Sequence, residues 1–185
     1  MSDLEIVRVK KVAGPIDGGA AIFLGNDKKT FVIFVGLFEA NAIIKEIQAQ
    51  KSIRPLTHDL MHNLMVGFGV QVKQVIISEI IDNTFCATLV LEQKVDGKNG
   101  EWVGRRNEVR VDARASDSIV VALKAKKDIL VSRQVFDQVE DVSDKIQLTE
   151  ETKEDEEKEG EEENDAAPPF DGLDFGEFRL DDEDE

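Results

Sequence analysis

The stretch AAIFLGNDKKTFVIFVG, residues 20–36, decides the fold. Two apolar runs, Ala20 to Leu24 and Thr30 to Val35, flank Gly25, Asn26 and Asp27, residue types that favour tight turns, so the stretch predicts an antiparallel hairpin. The second run is apolar at five successive positions, Phe31 to Val35, which predicts a strand covered on both faces and therefore central in its sheet. Gly36 ends it.

Working outward, Leu4 to Val12 alternates loosely between apolar and charged residues, as a strand with one wet face does. Beyond Gly36, Phe38, Ala42, Ile43 and Ile47 recur at helical spacing. Pro55 breaks that segment, and Thr57 is placed to cap a second helix running to Met65 with Leu60, Leu64 and Met65 inward. Val70 to Ile81 and Thr84 to Leu91 are β-rich and meet at Asp82 and Asn83, a second hairpin with longer arms. Glu92 to Gly104 is polar and contains glycine, which predicts a surface loop. Asn107 to Ala113 then alternates, with Val109, Val111 and Ala113 on one face and Arg106, Glu108, Arg110, Asp112 and Arg114 forming a charged ribbon on the other. Ser116 is placed to cap a helix carrying Ile119, Val120 and Leu123, and Ile129 to Val131 reads as a short final strand. Hairpins with helices inserted between them predict a single α+β domain with a mixed or antiparallel sheet and flanking helices.

Charge divides the chain. Residues 149–185 carry 19 acidic and 3 basic side chains, which leaves 20 of each sign in residues 1–148. A balanced domain therefore carries an anionic tail, and the expected division is a folded unit over 1–142 and a disordered acidic segment over 143–185. Cys86 is the single cysteine, so an intramolecular disulfide and a zinc-binding cysteine cluster are both excluded, as expected of a reducing compartment. The amino terminus lacks the pattern of a secretory signal, and no apolar run approaches the length of a bilayer span. The expected location is cytoplasmic, with no membrane partner.

Two polar clusters stand in apolar surroundings, RPLTHDL at Arg54 to Leu60 and VDARASD at Val111 to Asp117, each just before a helical run. Groups of this kind are costly to desolvate unless they satisfy one another or serve a ligand. Together with VGLFEANAI at 35–43 and the hairpin IIDNTFCATLVL at 80–91, the segments RPLTHDL and VDARASDSIVVAL, in this order over about residues 5 to 140, resemble the bifunctional nuclease domain. The resemblance implies a compact α+β domain and cleavage of both DNA and RNA. The chain departs from the family pattern in having Ala115 where proline is usual and Cys86 where an aromatic is usual. The first removes a pre-organised helix start and the second a large ring from a strand, and neither deletes a titratable group.

Phosphodiester hydrolysis needs an activated water, positive charge facing the phosphate and a stabilised leaving oxygen. By motif position the candidates are Glu39, Asp59, Asp112 and Asp117 as proton-handling or metal-binding carboxylates, His58 as general acid or base, and Arg54 and Arg114 as phosphate-clamping forks. Asp112 and Asp117 are the expected ligands of a Mg2+ or Mn2+ ion. Each group also has a structural reading, since Asp59 and Asp117 fall in first helical turns and Arg114 can pair with Glu39 or Asp112. His58 and His62, four apart, resemble a zinc-protease pair, but Asp59 replaces the usual glutamate and no third histidine exists to complete the ligands.

Arg106, Arg110 and Arg114 on the ribbon form a modest patch for RNA or DNA, diluted by Glu108 and Asp112, and Trp102 is placed to stack on a base. In the tail, Phe170, Leu173, Phe175, Phe178 and Leu180 follow Pro168 and Pro169, a motif over 168–180 fit to dock on a protein partner or to lie across the chain's own arginines. The apolar first helix and the Trp102 loop predict a homo-oligomer. The rival to a nuclease is a non-catalytic interaction or regulatory module whose acidic tail recruits a partner.

Overall fold

The computed structural model describes residues 4–16, 18–93, 107–144 and 178–179. In chain order these form β1 (Leu4–Ile16), β2 (Gly19–Gly25), β3 (Thr30–Gly36), α1 (Leu37–Ile47), α2 (Thr57–Gly67), β4 (Val70–Ile81), β5 (Thr84–Gln93), β6 (Asn107–Arg114), α3 (Ala115–Ala125), β7 (Ile129–Ser132), α4 (Arg133–Gln138) and β8 (Phe178–Arg179). The strands make one mixed sheet in the order β3-β2-β1-β7-β4-β5-β6, with β8 on a side branch against β1. Among the described residues only the β4 and β7 pair is parallel; the other neighbours run antiparallel. The architecture is α+β, as the alternation of hairpins and helices predicts.

Both hairpins form where turn residues stand. Asn26 closes the first by accepting from the Lys28 amide at 2.9 Å and donating its own amide to the Lys29 carbonyl at 3.1 Å. Asp82 and Asn83 close the second with φ of 47° and 60°, the left-handed pair whose twist matches that of the flanking strands. One sheet face carries α1 and α3, and the fully buried side chains of Ile22, Leu24, Phe31, Ile43, Ile77 and Ile119 fill the space between. Phe31 of β3 stacks on Phe85 of β5 at 6.0 Å between ring centroids, so strands far apart in sheet order meet across the core.

Several expectations are corrected. β3 is an edge strand, not a central one, and its apolar run is explained by two unlike faces: Phe31 and Ile33 enter the core, while Phe34 is 70% exposed. Phe38 points out of the core, because Ala40 and Ile43 supply the buried face of α1. In α2 no residue is buried; Met65 packs against the core as expected, but Leu60 and Leu64 are exposed and Met61 takes their place. Thr57 and Ser116 lie inside their helices, whose N-caps are Leu56 and Arg114. Ser116 is buried there, and α2 is capped from within by Asp59 Oδ2, which accepts the Leu56 amide at 2.8 Å. The short helix α4 is absent from the sequence reading, although Ser132 caps it by accepting the Val135 amide at 3.3 Å. The short strand expected at Ile129 to Val131 forms as β7, which joins β1 to β4 in the middle of the sheet.

Among the described residues, no helix is long and apolar enough to cross a membrane. The expected surface loop beyond Gln93, Trp102 and most of the expected disordered segment lie outside the described residues.

Candidate active site

α1, α2 and α3 each begin beside the same hollow, and each carries an acid at its third position: Glu39, Asp59 and Asp117. A helix start presents unpaired backbone N–H groups and the positive end of the peptide dipole, which favours acids in the first turn and anions in front of it. The chain places these starts by ending β3 at Gly36 and β6 at Arg114, so that two helices leave the sheet directly from strand ends. α2 is brought in by the linker through Pro55.

Two of the three acids join one ionic cluster. Arg114 donates from Nε to Asp117 Oδ2 at 2.9 Å and from Nη1 to Glu39 Oε1 at 3.0 Å, with a longer contact from Nη2 to Asp117 Oδ1 at 3.4 Å. His58 Nε2 lies 3.1 Å from Asp117 Oδ1. Partial burial alone would raise the Asp117 carboxyl, but the hydrogen bonds from Arg114 and His58 outweigh it and hold it below the usual carboxylate range. The same pairing raises the Arg114 guanidinium, with Asp117 the main cause. Glu39, His58, Arg114 and Asp117 line a hollow of about 590 Å³ together with Phe38, Lys45 and Leu56.

Asp59 faces away from this cluster. Its Oδ1 accepts from Lys124 Nζ at 2.6 Å, and Glu46 Oε1 accepts from the same ammonium at 2.5 Å. The hydrogen bond from Lys124, then that from the Leu56 amide, holds the Asp59 carboxyl low. Burial alone would lower Lys124, and the two carboxylates reverse that and raise it. This is a clasp between α1, α2 and α3, on the far side of α2's first turn from the hollow.

The other sequence candidates are spread out. Asp112 is exposed on β6 opposite Thr88 and lines neither this hollow nor the smaller one described below. Arg54 is exposed in the linker before α2 and also stands outside the hollow lining. Arg110 is exposed, 3.9 Å from Glu108, which pairs with Lys73 at 2.5 Å; Arg106 lies outside the described residues. Among the described residues, no three His, Cys, Asp or Glu side chains gather as a metal-binding group. Asp117 has both oxygens engaged by Arg114 and His58, and Asp112 does not line the hollow.

Lys45, Asn41 and Phe38 were missed as lining residues by the sequence reading. Their spacing on α1, three and then four residues apart, was the available signal, since such positions share a helix face. A second hollow, about 290 Å³, lies on the other side of the Glu39 and Arg114 pair, bounded by Val32, Phe34, Asn83, Thr84 and Phe85.

The tail is described at two residues, Phe178 and Arg179, which pair antiparallel with Val12 and Lys11 of β1. That position is on β1, whereas the arginine ribbon is on β6.

Two uncharacterized proteins of Mycobacterium tuberculosis, from strains CDC 1551 / Oshkosh and H37Rv, are each 33% identical to the chain over 113 residues, 61% of this chain and 60% of the relative. The chain thus spans about 60% of the length of the curated relatives it matches. The bifunctional nuclease domain matches residues 22–144, a span that holds every member of the ionic cluster and all three helix starts around the hollow. The chain belongs to the bifunctional nuclease domain family.

Proposed function

We propose that the hollow where α1, α2 and α3 begin is a phosphodiester-hydrolysing site for RNA, DNA or both. The observation that carries this reading is the convergence of Glu39, His58, Arg114 and Asp117, from sequence positions 78 residues apart, on one hollow faced by helix N-termini. Arg114 supplies the positive charge: the cluster uses three of its five N–H groups, which leaves two for phosphate oxygens, and the side chain is 64% exposed. The helix starts add backbone donors to the same anion.

His58 is the proton-transfer group. With the Nε2 proton held by Asp117, Nδ1 carries the lone pair that accepts a proton from water, and Asp117 stabilises the imidazolium that results. Asp117 is thereby a positioning residue for both His58 and Arg114. Glu39 holds the other edge of the guanidinium. Mg2+ or Mn2+ remains an expectation of the hydrolase reading, and the assay addresses it directly.

The test is cleavage of labelled single-stranded RNA and DNA by the purified full chain, with Mg2+, with Mn2+ and with chelator. Asp117→Asn should lose about 100-fold or more in turnover while remaining folded, as expected when an oriented acid-base group loses its partner. Cleavage unchanged in a folded Asp117→Asn variant would contradict the assignment of the hollow to hydrolysis.

One observation favours a second reading, an interaction module. Leu56 at the N-cap of α2 and Leu60 and Leu64 within it recur every fourth residue and are all about half exposed, with Ile53 and Phe68 exposed at either end. Such a stripe suits a partner surface or a second copy of the chain. In this reading the ionic cluster braces the helix starts, the acidic tail engages a protein, and no oligonucleotide is cleaved under any of the metal conditions. The cytoplasm is the setting both readings assume.

A further inference from the structure

The two hollows share a wall. Glu39 and Arg114 line both, so their ion pair is a low divide with an open space on either side. Each space also contains a phenylalanine left in solvent by the fold: Phe38, 85% exposed, on the larger side and Phe34, 70% exposed, on the smaller. Strand alternation explains why Phe34 faces outward and helix phase explains why Phe38 does, but neither explains an aromatic ring at both places. Short polar residues would satisfy either position.

We propose that the paired hollows form a track for single-stranded nucleic acid, with a backbone phosphate over Arg114 and the bases on its two sides stacked on Phe34 and Phe38. The inference rests on the phosphodiester reading and adds the form of the substrate. A phenyl ring offers a base only its π face, with no hydrogen-bonding edge, so stacking accepts any base and does not distinguish ribose from deoxyribose. Paired bases inside a duplex are stacked on one another and closed to such rings, so the track takes unpaired strands. Lys45, seven residues after Phe38 on the same helix face, adds positive charge along the wall of the larger hollow. The arrangement places apolar stacking surfaces beside a cationic centre, the combination by which proteins hold single strands without reading sequence.

The experiment measures binding apart from turnover. The full chain, in chelator, is titrated into fluorescently labelled mixed-sequence oligonucleotides of about 12 nucleotides, single-stranded RNA, single-stranded DNA and a blunt DNA duplex, followed by anisotropy. Wild type is compared with Phe34→Ala, Phe38→Ala and Phe38→Trp, all at exposed positions where melting temperature should hold. The expected result is single-strand affinity lower by about 5- to 50-fold in each alanine variant, retention in Phe38→Trp, and weak duplex binding that none of the changes alters. Single-strand affinity unchanged in both alanine variants overturns the track. A fall in oligomeric mass in those variants with oligonucleotide affinity unchanged also overturns it and assigns the two rings to a protein interface. Binding that depends on Phe34 and Phe38 in a chain that cleaves nothing sustains the track and refutes hydrolysis, whereas cleavage indifferent to both rings refutes the track alone.

Discussion

Arg114 Nη1 stands 3.0 Å from Glu39 Oε1 across 75 residues of sequence, and this contact forms the floor between the two hollows. It depends on a glycine. A Cβ at Gly36 would lie 2.5 Å from Glu39 Oε2, because the carboxylate folds back over the N-cap of α1 to reach the arginine. Gly36→Ala is therefore expected to fold, since the obstructed group is the end of a flexible side chain, but to turn Glu39 away. The Arg114 and Glu39 pair is largely exposed and adds little to stability, so a nearly unchanged melting temperature is expected, whereas the guanidinium, no longer held at one edge, should support turnover lower by roughly tenfold. Steady-state rates and thermal melts on the same preparation check it.

Lys124 is expected to matter more for the fold than for the hollow. It joins Asp59 of α2 to Glu46 of α1 and is only 15% exposed, so Lys124→Met leaves two carboxylates facing each other without a cation. A cost of about 2 kcal/mol is expected, between that of an exposed and a buried pair. Urea unfolding should show a lower midpoint with an unchanged slope.

The depressed Asp59 carboxyl makes part of the stability pH-dependent, and the sign is fixed. Its folded value lies below its unfolded value of about 3.9, so the stabilisation is complete above that value and is lost as pH falls through the lower folded one. The stability gap between wild type and Asp59→Asn should thus be full at neutral pH and close as pH falls below the unfolded value and through the lower folded one. Denaturant midpoints measured across that range show the closure or its absence.

The α2 stripe yields a prediction about assembly. If Leu60 and Leu64 cover a second copy, Leu60→Glu with Leu64→Glu should lower the solution mass to that of one chain without lowering the melting temperature of the separated chain much, because neither side chain is in the core. Light scattering on a sizing column reads this. An unchanged mass removes the stripe from the oligomer.

The strands, the two hairpins and the α+β class were legible because period-two alternation and turn residues such as Asp82 and Asn83 act locally. Edge position was not. The run Phe31 to Val35 has the composition of a strand buried on both faces, and only the tertiary arrangement shows that Phe34 is left in solvent. The direction of α2 failed for a related reason: a helix with no buried residue carries leucines on its outer face, so periodicity points the wrong way.

The candidate residues were legible as motif members, but their partners were not. His58 and Asp117 meet at 3.1 Å across 59 residues, and Asp59, adjacent to His58 in sequence, is turned by helix phase toward Lys124 instead. Asp112 illustrates the limit of spacing most clearly. It is two residues from Arg114, yet the strand carries it outside the hollow that Arg114 lines.

The most direct measurement is the initial rate of single-stranded RNA cleavage by the full chain and by His58→Asn, under whichever metal condition supports cleavage. Removal of the proton-transfer group should lower the rate by about 100- to 10,000-fold with the fold intact. A His58→Asn variant that is folded and cleaves at the wild-type rate, or a wild-type chain that cleaves under none of the conditions, would contradict the assignment of the hollow to phosphodiester hydrolysis.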